Sequence, residues 1–334
     1  MADFDASRMW WELMRDIGEC VDVGFAPIDD GATDLDWTMF SHVDYDGLGG
    51  IAKHLSERGI KVGELPKMRD KEEPGYCARF WLKYSNLFRR NKNLCRWKSF
   101  DSHWYPSEKE PTQPSGIAWT IFTHEETDAL NDYAKRVRVS TNSLLLWALN
   151  SVVSDELMEG GDDRFWLMPV NMRGPIQRKN PYVNHSSYLP VRMPVGVAPV
   201  DVHEAIKTEL KSQSHWRAWY AYTLLKASQR EKARKRLQGY LRREGFPWCG
   251  AFTNVGNWPT MDAKALPEGA TETRWIVRTL VLKSIPIGAS VMSWRRALNL
   301  TVVTHPALTR DATQADEIMK LWRGKLDSLI LKSH

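Results

Sequence analysis

Apolar positions along the chain change period several times, and each change marks an element. In FTHEETDALNDYAKRVRVS, Leu130, Tyr133, Ala134 and Val137 recur at three- and four-residue spacing, the period of a helix buried on one face. Thr123 and Glu126 stand before them at the spacing of a capping box, which satisfies two free amides at a helix start. TNSLLLWALNSVVSDEL follows, apolar almost all round, and predicts a helix buried on most sides. Near the C-terminus Ile318, Leu321, Trp322, Leu326 and Leu329 form the apolar face of a last helix, with Lys325 off its centre. Upstream, LGGIAKHLSERGI places Leu48, Ile51 and Leu55 on one helical face, and Gly59 supplies a C-terminal stop.

Strand-like runs separate these helices. LDWTMFSHV is a short β-branched and aromatic run that reads as a buried strand ending near His42. GIAWTIF, RFWLMPVNMRGP and SSYLPVRMPV follow, then a long helical region over residues 202–245, then WCGAFTNVG, TRWIVRTLVL and RALNLTVVTH. Strands mixed irregularly with long helices predict an α/β layered sandwich rather than a strict βαβ repeat. APIDDGATD, PKMRDKEEPG and YPSEKEPTQPSG read as loops. The last of these is the expected boundary between an N-terminal lobe, 1–115, and a C-terminal lobe, 116–334.

Composition narrows the class. With 43% hydrophobic and 26% charged residues the 334-residue chain should bury a substantial core. No window approaches the run of about 18 apolar residues that a membrane span needs, and the N-terminus is acidic where a secretory leader is basic then apolar. A cytoplasmic location is the expectation. Cys20, Cys77, Cys95 and Cys249 form no CxxC pair, so free thiols are expected rather than a disulfide framework or a structural zinc. Sixteen tryptophans, dispersed from Trp10 to Trp322, favour aromatic packing over one base-stacking platform.

A net charge of +5 does not by itself call for nucleic acid, but its distribution is uneven. KASQREKARKRLQGYLRREG, 226–245, is the densest basic run, and FRRNKNLCRWK, 88–98, is a second. The plain reading is a solvated helix face. The sharper one is an anion site for coenzyme A phosphates, a carrier-protein surface, or a polyanion such as nucleic acid.

The densest chemistry lies in FSHVDYDGLGG, 40–50, at a strand-to-helix turn. His42, Asp44 and Asp46 alternate there. On a strand they would face one way and could form an oxygen-rich metal site; they could equally serve proton transfer or only shape a polar turn. Residues 42–47 also spell HxxxDG. This resembles the active-site motif of the chloramphenicol acetyltransferase-like superfamily, which includes peptide-synthetase condensation domains and wax ester synthases. Further segments are similar to that family's in the same order: the helix pair from Phe122 onward, with Ser143 after Asn142; MPVNMRGP; VNHSSYLPVRMPV; and GAFTNVGNWP at the family's Ser-Asn-x-Gly segment. Two departures stand out. Ser41 replaces the first histidine of many members, and only 41 residues precede the motif, which implies a shortened N-terminal lobe or one completed by an oligomer.

The resemblance implies a chloramphenicol acetyltransferase-like fold and an acyltransferase that moves an acyl group from acyl-coenzyme A to a hydroxyl or amine acceptor, small or polymer-linked. His42 would be the general base, since neutral histidine, with an ordinary pKa near ~6.5, suits that task at neutral pH. Thr253, at the family's Ser position, would donate to the oxyanion, with Asn254 beside it. Asp46 would pair with Arg173 and hold the loop, and Gly47 would permit an unusual backbone angle. Asp44 has no implied task. No serine or cysteine nucleophile is called for, so transfer would be direct, in a ternary complex, with a coenzyme A thioester as co-substrate and no metal. The alternatives are condensation from a carrier-bound thioester and a catalytically silent member that binds nucleic acid. His185 and His305 read as surface or satisfied core groups.

Overall fold

The computed structural model describes residues 5–28, 35–60, 62–68, 73–85, 94–160, 163–223, 229–258 and 274–331. Its elements run α1 (Ala6–Asp16), β1 (Asp22–Ile28), β2 (Thr38–Ser41), α2 (Gly47–Glu57), α3 (Tyr76–Ser85), β3 (Gly116–Ile121), α4 (His124–Arg136) and α5 (Thr141–Leu157). They continue β4 (Asp163–Asn171), β5 (Ser186–Pro194), α6 (Pro199–Lys211), α7 (Ser214–Tyr222), α8 (Arg230–Leu241), β6 (Trp248–Trp258), β7 (Arg274–Arg278), β8 (Ile287–Trp294), β9 (Ala297–Thr304) and α9 (Thr313–Leu331).

Six strands form one mixed sheet in the order β3-β9-β8-β6-β4-β5. β6 runs parallel to both β4 and β8, and the remaining pairs are antiparallel. Alternation along β6 assigns its faces. Phe252 points into the core shared with α4, α5, α6 and α9, while Ala251 and Val255 point into a second core shared with α1, α2 and α8. A bulge between Trp248 and Gly250 sets this phase just before the segment that reaches the site.

The helical layer follows the sequence pattern. Thr123 and Glu126 form the expected capping box, and Leu130 and Ala134 are buried. α5 is apolar all round because it is enclosed by the sheet, α6 and α9, and its interior polar groups are matched: Trp166 Nε1 donates to Asn150 Oδ1 at 2.9 Å and Trp322 Nε1 to the Leu145 carbonyl at 3.1 Å. On α9, Ile318, Trp322, Leu326 and Leu329 are buried, but Leu321 is exposed, at the edge of the expected face.

Four elements went unforeseen. β8, IGASVMSW, is covered on both faces at the sheet centre, so it shows no alternation. β1, DVGFAPI, carries a glycine and a proline and overlaps the expected APIDDGATD loop, most of which lies outside the described residues; pairing with β2 and β7 makes it a strand, with Pro27 beyond the end of β2. α1 and α3 begin in stretches read only as apolar-rich and loop-rich. The expected long helical region divides into α6, α7 and α8, with a left-handed residue, Gln213 at φ 57°, at the first break.

The three-stranded sheet, β2-β1-β7, carries the candidate motif at the end of β2. Its third strand comes from the second half of the chain. A buried polar knot adds to this linkage: Glu19 accepts from Lys283 N at 3.1 Å and from His305 Nε2 at 3.3 Å, while Lys283 Nζ donates to the Ser102 and Leu241 carbonyls at 2.7 and 2.8 Å. His305 is thus a satisfied core histidine, with Nδ1 accepting from Ala307 N. No described helix is long and apolar enough to cross a membrane.

Candidate active site

β2 ends at Ser41, and the next residues turn: Asp44 N and Tyr45 N both donate to the Ser41 carbonyl at 3.0 Å. Because the chain turns, His42, Asp44 and Asp46 diverge instead of facing one way. Asp44 is exposed and pairs with Arg8 of α1 at 3.0 Å. Asp46 is buried at the N-cap of α2, and His42 lines a cavity. The three side chains are thus committed to different partners and do not form one ligand cluster.

Asp46 is bonded on both oxygens. Oδ1 accepts from Gly49 N at 2.8 Å and Arg173 Nη2 at 2.9 Å; Oδ2 accepts from Arg173 Nη1 and His185 N, both at 2.8 Å. Arg173 also donates through Nε to the Pro181 carbonyl, through Nη2 to the Val183 carbonyl and through Nη1 to Asn171 Oδ1. All five of its N–H groups are used, which fits the fork geometry of a guanidinium. Arg173 follows the end of β4, and its target carbonyls lie in the segment before β5, so one edge of the large sheet holds the motif loop.

His42 is half-buried. Its Nδ1 lies 2.9 Å from the Tyr45 carbonyl, and a carbonyl can only accept, so Nδ1 carries the proton and the lone pair sits on Nε2. Asn184 Nδ2 donates to the His42 carbonyl at 2.9 Å, and the Trp11 ring packs edge-on at 4.4 Å between centroids. Removal from water pushes the His42 pKa down to about 4, against the opposing pull of Asp46 and the Tyr45 carbonyl. At neutral pH the ring is neutral.

The cavity measures about 650 Å³ and is bounded mainly by apolar and aromatic side chains. Thr253 of β6 lines it together with His42 and Gly47, and the Thr253 hydroxyl has no partner among the described residues. Asn254, the next residue, turns to the helical face, where it donates to Asn142 and accepts from Gly256 N at 2.7 Å. It holds the strand rather than lining the cavity.

Gly47 departs from expectation in its reason. Its backbone is not left-handed; a Cβ there would come within 3.3 Å of Val255 Cγ1, so it serves close packing at the cavity wall. Gly49 is tighter still, since a Cβ would fall 1.8 Å from the Tyr182 carbonyl oxygen.

His185 is buried with Nδ1 donating to the Val183 carbonyl at 2.7 Å, a satisfied core group. The Asn184 bond, the carbonyls around Pro181, and Trp11 were not anticipated. Only Asn184 had a signal, within VNHSSYLP. Of the basic segments, residues 226–228 and 88–93 lie outside the described residues, but the described part of the second run reaches the residue that follows the first: Cys95 N donates to the Phe246 carbonyl at 2.8 Å. Cys95, Cys249 and Cys20 are buried free thiols, while Cys77 is exposed.

No family model and no curated protein matches the sequence. Solved structures do match. A trichothecene 15-O-acetyltransferase from Fusarium sporotrichioides aligns with TM-score 0.54 at 13% identity, over 93% of this chain and 70% of that one. An epimerization domain of tyrocidine synthetase B aligns with TM-score 0.52 at 14% identity, over 88% and 68%. Polyketide synthase associated protein 5 from Mycobacterium tuberculosis gives 0.51 at 12%, over 92% and 76%. The chain has the chloramphenicol acetyltransferase-like fold. That fold accounts for the six-stranded mixed sheet and the helices packed on it.

Proposed function

We propose that the protein is an acyltransferase that moves an acyl group from a thioester, acyl-coenzyme A, to a hydroxyl or amine acceptor. The observation that carries this reading is the His42 ring, fixed by Tyr45 as the tautomer with a free Nε2 lone pair at the wall of a 650 Å³ cavity. Similarity in fold to an acetyltransferase supports it.

In the proposed step, Nε2 takes the acceptor's proton as its oxygen or nitrogen attacks the thioester carbonyl. A C–O or C–N bond forms, and the carbonyl oxygen becomes an oxyanion beside the Thr253 hydroxyl. Collapse breaks the C–S bond, and the proton on Nε2 passes to the departing thiolate. Nothing becomes covalently attached to the protein. Asp46 is fully engaged by Arg173, Gly49 and His185, so it supports the loop and does not handle the proton.

The test is release of free thiol from acyl-coenzyme A across a panel of alcohols and amines, repeated with a carrier-loaded donor. Acceptor-dependent thiol release that disappears in His42→Ala is expected. Full activity in purified His42→Ala protein would refute the mechanism, and release only from the carrier-loaded donor would replace coenzyme A with a carrier.

A further inference from the structure

The His42 cavity has two features that acyl transfer itself does not require. The first is a set of phenols. Tyr188, Tyr222 and Tyr240 all line it, together with Trp10 and Trp248, and none of the three hydroxyls has a hydrogen-bond partner among the described residues. Tyr188 packs edge-on against Trp248, with ring centroids 5.8 Å apart. Burial pushes the Tyr240 phenol up to about 12 and the other two phenols up as well, so all three stay neutral donors. An aromatic wall studded with unspent hydroxyls suits a flat ring system bearing polar substituents better than an alkyl chain, whose burial would strip water from the hydroxyls without replacement.

The second feature is a selective pairing of the charges on α8. Arg230 bonds Glu12 and Asp16 of α1 at 2.6 Å each, Arg234 bonds Glu108 at 2.7 Å, and Lys235 lies 3.9 Å from Glu231. Lys232 and Arg236, one turn apart, line the cavity, are solvent-exposed, and have no ion pair among the described residues. Being both exposed and cavity-lining, they stand at its open side. Positions 232, 236 and 240 follow at four-residue spacing, so one stripe of α8 runs from two unspent cations to a phenol. The basic run read from the sequence is therefore two things: a set of ties that dock α8, and a cationic rim.

We propose that the acceptor is an aromatic molecule carrying an anionic group, its ring held among Tyr188, Tyr222 and Tyr240 and its anion by Lys232 and Arg236. This deepens the acyltransferase reading of the same cavity and rests on it for the word acceptor; the binding preference stands apart from catalysis.

The experiment is calorimetric binding with three probes: hydroxynaphthoate, an aromatic anion; naphthol, the neutral aromatic; and hydroxydecanoate, an aliphatic anion. Hydroxynaphthoate is expected to bind at least about tenfold more tightly than either of the others. The double variant Lys232→Met/Arg236→Met should weaken hydroxynaphthoate about tenfold and leave naphthol unchanged. Tyr188→Phe/Tyr240→Phe should weaken both naphthyl probes. Equal binding of hydroxydecanoate overturns the aromatic assignment, and unchanged hydroxynaphthoate binding in the double cation variant overturns the anion site. Binding that survives without any acyl transfer would refute the catalytic reading alone, and transfer without the binding preference would refute this one alone.

Discussion

Arg173 and Asp46, 127 positions apart in sequence, meet through two parallel N–H to oxygen bonds of 2.8 and 2.9 Å in a buried site. The remaining N–H groups of Arg173 reach the Pro181 and Val183 carbonyls and Asn171, so the pair ties two segments, the end of β4 and the stretch before β5, to the N-terminus of α2. Removing one partner leaves an uncompensated charge in a site that water does not reach. Arg173→Ala and Asp46→Asn should each lower unfolding stability by about 3–5 kcal/mol in denaturant titrations. Arg173→Lys should recover little, because an ammonium cannot make two parallel bonds. An unchanged midpoint in both variants would show that the pair does not hold the loop.

His42→Ala should behave in the opposite way. Loss of a general base costs roughly 10²–10⁴-fold in rate, while the melting temperature should stay near that of the parent because only the ring's contact with Trp11 and its bond to the Tyr45 carbonyl are lost.

The pH profile follows from the same ring. The His42 pKa in the folded protein, about 4, lies below its ordinary 6.5, so the neutral base persists into mild acid. The acidic limb of kcat/KM should fall near about 4 rather than 6.5. Because the folded pKa is depressed, the unfolded chain binds more protons between these values. The stability linked to His42 is present above about 6.5 and lost as pH falls through 4. A limb centred near 6.5 in transfer assays would contradict this environment.

Thr253→Val removes the hydroxyl at nearly constant volume. It should lower kcat by up to about 10²-fold, the lower range for one oxyanion donor, with little change in KM, whereas Thr253→Ser should retain most activity. A rise in KM alone would make Thr253 a binding residue.

Gly49→Ala should be among the most damaging single substitutions in the motif, since the added methyl would overlap the Tyr182 carbonyl oxygen at 1.8 Å. Gly47→Ala, facing Val255 at 3.3 Å, should be milder and act mainly by narrowing the cavity. Melting temperatures of the two purified variants test this order.

Much of the architecture is legible in the chain because local patterns decide it. The capped, one-faced α4, the all-apolar α5 and the strand-turn-helix around His42 each follow from side-chain spacing that only one local structure can bury. The motif also named Asp46 and Arg173 as partners, and the two do meet. What the chain alone could not show depends on neighbours distant in sequence. β8 has no alternation because both its faces are covered, and β1 is a strand because β2 and β7 flank it. Gly47 and Gly49 are explained by Val255 and Tyr182, not by their own backbone angles. Three alternating polar residues looked equivalent until the turn after Ser41 sent His42 to the cavity, Asp44 to Arg8 and Asp46 to Arg173. Local periodicity determines which elements form; where each side chain ends up depends on burial and charge pairing supplied by distant segments, and only the assembled layers bring those together.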